Sequence, residues 1–570
     1  MGAVPVRSKG VGAATDCACT NDTQPQNRSE AFLPAEEDKH GRVDWQPVSD
    51  ADHIVAATDT ASTSSSFANG LPRSTISIVI VEFCERFAFY GSSLCFSMYM
   101  LNMLNMSYEE VDVIQNGFLT WSYACALLGG YMGDSSFGKV KTILLFASVY
   151  LFGLVVLALS AMPFAYDAYP LRPTATLALG GFFLALFLIG MGTGGIKSNV
   201  SVLVAEQIDD PALIERAFRY FYWAINAGAL LGQLIVPLLH HFGPVVVDRF
   251  GVEQGSSYWM AFLAPCLLFI VGIGVFVQGI PTYATRAPTG PSVMLRSYRV
   301  FARAVRNRQF PPPDPITGRP SFLDRALLTL PGDDVPTQDE INLVADLKNV
   351  LHASKIFLVF PIYWVLYNQM QTSFIQQGMQ MKSPSWLTVD QLNIVNALCI
   401  IICIPLFDSV VFPGLRRLGL RLGLITRMAI GFVISAAALF YAGAIQWQID
   451  QEGEFIDGKY IVRVPDSDRI SVFNQIPAYV LIAISEIFSS VTALEFAYSQ
   501  APKSMKSVVM SLFLVTSAVG SLLSMLIAPF MGPGHLFHAF VAMATVMLAF
   551  SVAFYAAFRH HVIIHAPPTI

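Results

Sequence analysis

The stretch that decides the fold reads VEFCERFAFYG and occupies residues 81–91. It lies inside an apolar segment, 75–102, that is long enough to cross a lipid bilayer as a helix. An ionised side chain at the centre of such a helix costs about 2.5–3.5 kcal/mol, so it normally lines a cavity or pairs with another charge. Spacings of three and four residues place five side chains on one helix face: Glu82, Glu85, Arg86, Phe89 and Tyr90.

The two carboxylates and the guanidinium on this face can share protons. Arginine stays charged, while a glutamate beside it changes its affinity for a proton when its partner leaves. We therefore interpret Glu82, Glu85 and Arg86 as a proton switch. The alternative is an ion-pair cluster that only fixes helix packing.

Composition indicates that much of the remaining chain also lies in the membrane. Of 570 residues, 54% are hydrophobic and 13% charged, against about 25% charged in soluble domains. Further apolar stretches of spanning length follow the first one: 111–133, 140–163, 174–205, 214–240, 257–280, 352–381, 388–415, 421–446, 472–501, 506–529 and 535–559. We predict an all-α integral membrane protein with about twelve transmembrane helices in two six-helix bundles, the architecture of the major facilitator superfamily.

This reading divides the chain into five parts. They are a disordered cytosolic tail (1–72), a first bundle (73–280), a cytosolic linker (281–351), a second bundle (352–560) and a short tail (561–570). Basic residues concentrate in loops on one side, which predicts that both termini are cytosolic. In the linker, Val293 to Arg308 is basic with interspersed apolar residues, which suggests a helix on the inner leaflet. A solvated connection is the alternative, above all after Gln309.

Other charges mark two further helices. The fourth carries GTGGIKSN at 192–199, in which Lys197 lies within the membrane or near its inner edge. The tenth carries Glu486 and Glu495, which are nine residues apart and so point in opposite directions on an ideal helix. We favour Glu486, which shares its face with Ser490, as the residue that faces the cavity. Cations in one half and an acid in the other would let a zwitterion bridge the two halves.

The sequence shows no metal-ligand spacing, P-loop or Ser-His-Asp set, so we expect neither an enzyme nor a metal site. His240 and His241 are adjacent and near a predicted helix end, which favours interface residues over ligands. The net charge of -5 gives no nucleic-acid signal.

Several long motifs resemble the proton-dependent oligopeptide transporter (POT) family, and within it the fungal peptide transporters. The motifs are EFCERF at 82–87, GGYMGDSSFG at 129–138, FRYFYWAINAGAL at 218–230 and EFAYSQAPKSMKS at 495–507. The resemblance covers both halves, roughly 75–560. It implies a symporter of di- and tripeptides that is driven by the proton gradient without a cofactor, works as a monomer and lies in the plasma membrane, with the vacuolar membrane as the alternative.

The resemblance also implies residue roles. Glu82, Glu85 and Arg86 match the proton-coupling motif, and Asp134 matches part of the inner-gate turn, where a carboxylate can cap the start of a helix. Glu495 is expected to hold the inner gate with Lys503 or Lys506. The residues expected to bind substrate are Arg86, Tyr90, Tyr123, Lys197, Asn226, Tyr363, Trp364, Asn368, Gln369, Glu486 and Ser490. Asn368 stands where bacterial members often have an acid, and Asn116 stands where mammalian members have a histidine, so neither position can pass a proton here.

Two other functions remain open at this stage. Relatives with the same fold carry nitrate or other small solutes, but such a carrier needs no acid to bind an amine, so Glu486 argues against it. A peptide-sensing receptor would bind the same ligand without moving it, and the long polar N-terminal segment is compatible with that role.

Overall fold

The structure is a computed structural model that describes most of the chain beyond residue 70. The described residues are 32–34, 45–47, 71–135, 137–165, 176–208, 210–243, 246–247, 253–254, 257–285, 293–307, 321–328, 336–419, 422–456, 459–465, 467–500, 505–532 and 534–559. The predicted tails, 1–72 and 561–570, lie almost entirely outside them. The chain divides into two units, Met1–Thr63 and Ser64–Ile570. In the first unit, β1 (Phe32–Pro34) pairs antiparallel with β2 (Trp45–Pro47).

The second unit begins with six long helices. They are α1 (Arg73–Asn102), α2 (Tyr108–Ser135), α3 (Lys139–Ser160), α4 (Thr176–Glu206), α5 (Pro211–His241) and α6 (Tyr258–Gly279). Between the last two, β3 (Val246–Val247) pairs with β4 (Glu253–Gln254). The connections from α1 to α2, from α2 to α3 and from α4 to α5 are only three to five residues long, so these neighbours run antiparallel.

Two helices follow before the second set of spans. Helix α7 (Val293–Arg306) buries Val300 and Ala304 and exposes Tyr298 to solvent or lipid. Helix α8 (Gln338–Ser354) begins at a capping box in which Thr337 and Glu340 satisfy each other's backbone groups. It continues through a 3-10 turn into the seventh span, so the helix starts well before the predicted position, 352.

Three of the six spans of the second half are built from more than one α-helical segment. The helices after α8 are α9 (Phe360–Asn368), α10 (Ser373–Met379), α11 (Ile394–Leu406), α12 (Phe412–Arg417), α13 (Leu424–Glu452), α14 (Ile476–Glu486), α15 (Thr492–Gln500), α16 (Lys506–Ile527) and α17 (Leu536–Phe558). Wide π turns, Phe407–Val411 and Ile487–Val491, join α11 to α12 and α14 to α15. A hairpin of β5 (Gly453–Ile456) and β6 (Lys459–Val462) follows α13.

Ten helical spans in the described residues are long and apolar enough to cross a membrane. Helices α1 and α2 are also long, with 30 and 28 residues, but carry several charged side chains. Together they account for the expected twelve. Buried apolar side chains form two separate cores, one from residues between Leu71 and Tyr283 and one from residues between Val300 and Phe554. We call the corresponding parts the first half and the second half.

Helices α2 and α4 approach so closely that only glycine fits between them. A Cβ added at Gly129 would lie 2.5 Å from the Cα of Gly195. At the same contact the Asn199 amide donates to the carbonyls of Gly129 at 2.8 Å and Gly195 at 2.9 Å. Interhelical hydrogen bonds and small residues are the usual means of helix association in lipid. This contact positions the face of α4 that carries Lys197.

The two halves meet at the end of the molecule where α1 leads into α2, which we call the closed end. Ser97 donates to the carbonyl of Gln371 at 2.9 Å, and Asn368 donates to the Asn116 side chain at 3.1 Å. On the α5 side, Asn393 donates to Gln233 at 3.1 Å. Polar contacts between helices of different halves therefore close this end.

The glycine contact predicts opposite effects for neighbouring substitutions in α2. Gly129→Ala should lower the free energy of unfolding by about 1–3 kcal/mol, because the backbones of α2 and α4 must separate. Gly130→Ala is the matched control, since its added Cβ would meet no atom nearer than Ser198 Cβ at 3.7 Å. Thermal unfolding of the purified protein in detergent measures both. Equal unfolding midpoints for the two variants would contradict the close approach.

Candidate functional site

The charges of α1 form a buried network that α4 completes. Arg86 Nε lies 3.3 Å from Glu82 Oε1, and Nε and Nη2 of Arg86 both pair with Glu85 Oε2. From α4, Thr193 donates to Glu85 Oε1 at 2.6 Å and accepts from Arg86 at 3.4 Å. The second oxygen of Glu82 has no hydrogen-bond partner. Two acids and one base are therefore enclosed together, and the unpartnered Glu82 oxygen is available to hold a proton.

Aromatic rings adjoin this network and line a partly exposed space, which we call the cavity. The guanidinium carbon of Arg86 lies 5.5 Å from the ring centre of Phe89 and 6.0 Å from that of Tyr90. Lys197 Nζ lies 4.5 Å from the ring centre of Tyr123, within cation–π distance. Tyr90, Tyr123 and Lys197 are only half-buried although they face the interior. They therefore line an accessible space.

Helix α5 supplies the adjoining wall. The Asn226 amide donates to the backbone carbonyl of Tyr222 at 2.8 Å. The Tyr222 side chain is exposed and lies within electrostatic range of Glu486 and Tyr90. The aromatic lining therefore extends from α1 and α2 to α5.

The acid on the opposite wall comes from α14. Glu486 is the last residue of that helix, is half-buried, and has Tyr367 and Asn396 against its carboxylate. The π turn that follows it contains Ser490, which is buried. A π turn is wider than an α turn and is common at functional sites. It also changes the angle between Glu486 and Glu495 from the one that an ideal helix predicts.

Tyrosines occupy the space between the cations and this acid. Tyr90 and Tyr123 each lie within electrostatic range of both Arg86 and Glu486. Tyr367 lies within the same range of Glu486, Tyr90 and Tyr123. Arg86 of the first half and Glu486 of the second half therefore act electrostatically on the same tyrosines. A ligand with a carboxylate and an amine fits such a pair of opposite charges.

Four predicted binding residues are buried, although Tyr363 lies within electrostatic range of Glu486. Tyr363 is buried among aromatic rings, and the Trp364 indole donates to Thr516 at 3.1 Å, which fastens α9 to α16. Asn368 donates to Asn116 and, at 3.0 Å, to Ser521. Gln369 donates to the Val365 carbonyl within its own helix. In this conformation these side chains serve packing and the closed end, and their role in binding stays a prediction.

The two residues expected at the inner gate pair within their own halves. Asp134 lies 3.5 Å from Lys139, and no side chain caps the start of α3, so the capping role expected for Asp134 is absent. Lys139 also pairs with Glu206 at 2.9 Å. Glu495 lies 3.8 Å from Arg427 on α13. Of its two expected partners, Lys503 lies outside the described residues, and the Lys506 side chain is not described either.

Sequence reasoning missed Thr193, Tyr222 and Asn396 as members of the site. Thr193 lies in the glycine-rich run of α4, and the glycines there indicated close helix packing rather than a polar contact. Tyr222 belongs to an aromatic run on α5 that is equally typical of a lipid-facing surface. Asn396 lies in an otherwise apolar part of α11. A polar amide inside a membrane helix can be recognised from the sequence as a candidate functional residue.

Comparison with known proteins shows which family this chain is similar to. Residues 140–543 match the POT family. The probable peptide transporter ptr2 of Schizosaccharomyces pombe is 32% identical over 522 residues, which cover 86% of this chain and 78% of that protein. Peptide transporter PTR2 of Saccharomyces cerevisiae is 32% identical over 79% of this chain and 73% of its own length.

Solved structures agree with these relatives. An auto inhibited POT family peptide transporter is 25% identical and superposes with a TM-score of 0.65 over 88% of this chain and 99% of that one. The POT family transporter PepTSo is also 25% identical, with a TM-score of 0.67 over 86% and 98%. The all-helical fold of the major facilitator superfamily is therefore confirmed.

The threonine that joins α4 to the ion network can be tested directly. Thr193→Val keeps the side-chain volume but leaves Glu85 Oε1 without its donor, which should lower the free energy of unfolding by about 1–3 kcal/mol. Thr193→Ser keeps the hydroxyl and should unfold close to the wild type. Thermal unfolding of the detergent-purified variants provides the measurement. If the valine and serine variants lost stability equally, the hydroxyl would have no special role.

Proposed function

The chain belongs to the POT family, and from this membership and the geometry of the cavity we propose that it carries di- and tripeptides across a membrane together with protons. The observation that supports this most strongly is the pair of opposite poles, Arg86 and Lys197 in the first half and Glu486 in the second. A transporter of this kind is not an enzyme and needs no cofactor, because the proton gradient supplies the free energy.

The poles match the two ends of a short peptide. The carboxylate of the peptide lies near Arg86 and Lys197, and its amine lies near Glu486, where charge-assisted hydrogen bonds are strong. Tyr90, Tyr123 and Asn226 contact the backbone and side chains between the ends. Because the ligand contacts both halves, binding favours the conformation in which the halves approach each other. The remaining expected ligands, including Ser490, act in that more closed conformation.

Proton coupling follows from competition for Arg86. Glu82 and Glu85 share one guanidinium, and the peptide carboxylate is a third anion attracted to it. When the carboxylate arrives, a glutamate that loses part of its interaction with Arg86 takes up a proton, since an unpaired carboxylate in the membrane interior is costly. Release of the peptide restores the ion pair and expels the proton.

The closed end faces outward in this account, and the cavity opens to the cytosol. The cytosolic placement of both termini, deduced from the basic loops, puts the α1–α2 connection outside. Asn368 and Asn116, which stand where other members carry titratable groups, form a neutral amide contact there. Asp134 and Glu495 act at the opposite, cytosolic end. The protein functions as a monomer in the plasma membrane.

Uptake by purified protein in liposomes tests the proposal against its alternatives. A radiolabelled dipeptide should accumulate under an inward proton gradient, and tripeptides but not nitrate should compete with it. Competition by nitrate would indicate a carrier of small anions. Binding without accumulation would indicate a peptide-sensing receptor.

Removing the titratable group next to Arg86 should separate exchange from coupling. Glu85→Gln is expected to keep exchange of labelled for unlabelled peptide and to abolish accumulation against a gradient, because glutamine cannot release a proton. Counterflow and pH-driven uptake in the same liposomes measure the two activities. Accumulation at the wild-type level would remove Glu85 from the coupling step.

The acid pole predicts recognition of the peptide amine. The wild-type protein should prefer a free dipeptide over its N-acetylated form, and Glu486→Gln should reduce this preference by about 10- to 100-fold, the loss of one hydrogen bond to a charged group. Glu495→Gln is the matched control on the same composite helix, where Glu495 pairs with Arg427. Competition assays with both peptides measure the preference. An unchanged preference in Glu486→Gln would exclude contact with the amine.

A further inference from the structure

A second cluster of chemically reactive side chains lies at the closed end, outside the peptide cavity. It consists of Cys95 on α1, His240 on α5 and Asp390 in the 3-10 turn Val389–Asn393 that leads into α11. One ligand atom from each lies within 4.8 Å of the other two. Their exposed fractions are 0% for Cys95, 4% for His240 and 0% for Asp390. The three side chains are therefore enclosed together.

The polar atoms of this cluster lack ordinary partners. Neither nitrogen of His240 and neither carboxylate oxygen of Asp390 makes a hydrogen bond, and the closest approach is 3.5 Å between His240 Nε2 and Asp390 Oδ2. A buried carboxylate without a partner is expensive. The arrangement thus presents an anion and an imidazole that a cation would satisfy.

We propose that Cys95, His240 and Asp390 bind a zinc ion. Thiolate, imidazole and carboxylate together suit Zn²⁺, whereas Mg²⁺ and Ca²⁺ prefer oxygen ligands only. Zinc bonds of about 2.0–2.3 Å require ligand atoms to approach by on the order of 1 Å, which side-chain rotation can supply. On binding, the Cys95 thiol releases its proton to solvent, and a water molecule fills the fourth position.

Nearby aromatic residues would hold the ligands in place. The His240 ring is stacked on Tyr258, with ring centres 4.6 Å apart and planes 8° from parallel, which fixes its orientation. The buried hydroxyl of Tyr479 lies within electrostatic range of Asp390. We expected no metal site from the sequence, because the three proposed ligands come from distant parts of the chain and form no local metal-ligand motif.

The site would link the two halves. Cys95 and His240 belong to the first half and Asp390 to the second, so a bound ion joins them across the closed end. The ion must enter when the halves separate there, since the closed cluster is buried. Zinc would then stabilise the closed end and slow the transport cycle, an effect that rests on the proposed function.

Zinc binding itself is tested on purified full-length protein without any transport assay. Zn²⁺, but not Mg²⁺, should raise the thermal unfolding midpoint of the wild type. Cys95→Ser should lower the zinc affinity by more than about 100-fold, beyond the 10- to 100-fold loss typical of outer-shell changes. Cys125→Ser is the matched control, a buried cysteine of the same half outside the cluster. Equal stabilisation of the wild type and Cys95→Ser would overturn the site.

Two further measurements extend the test. Co²⁺ bound in place of zinc should give a near-ultraviolet sulfur-to-metal absorption band that Cys95→Ser lacks, and its absence in the wild type would rule out thiolate ligation. In liposomes, Zn²⁺ should inhibit peptide uptake by the wild type and Cys125→Ser but not by Cys95→Ser. If zinc bound but peptide uptake were unchanged, the zinc site would stand and its proposed effect on the transport cycle would be contradicted. If no variant took up peptide, the result would contradict the proposed transport function and not the zinc site.

Discussion

One buried guanidinium lies at the centre of the charge network on which the proposed proton coupling depends. Arg86 is held by Glu82, Glu85 and Thr193 beside the apolar core of the first half. Removing one partner of a buried ion pair typically costs about 3–5 kcal/mol, because the other charge is left without compensation. The network therefore resists change unless another anion or a proton arrives. That requirement links the charge state of α1 to the content of the cavity.

The two walls of the cavity are built differently. The first half uses continuous helices that approach through glycine contacts, as between α2 and α4. The second half has three segmented spans, two of which contain π turns, after Leu406 and after Glu486. Segmentation places Glu486 at a helix end, where Tyr367 and Asn396 can reach it. The cations thus lie on continuous helices and the acid lies on a segmented one.

Much of the fold followed from elementary patterns, because bilayer thickness dictates helix length and intramembrane charges are rare. Glu82, Glu85 and Arg86 were readable from local spacing on one helix. Residues such as Thr193 and the neutral contact between Asn116 and Asn368 depend on which helices pack together, and local spacing does not carry that information. The π turns were also beyond prediction, since nothing in the residues around Glu486 distinguishes a wide turn from an ordinary one.

Net charge movement is the direct test of proton-coupled transport by this protein. A neutral dipeptide that travels with a proton carries one positive charge, so an inside-negative potential alone should drive it inward at equal pH on both sides. A potential of 100 mV supplies about 2.3 kcal/mol per charge, which permits an accumulation of roughly 50-fold. The account predicts accumulation of the dipeptide well above its external concentration, abolished by a protonophore. Equilibration at the external concentration would contradict it.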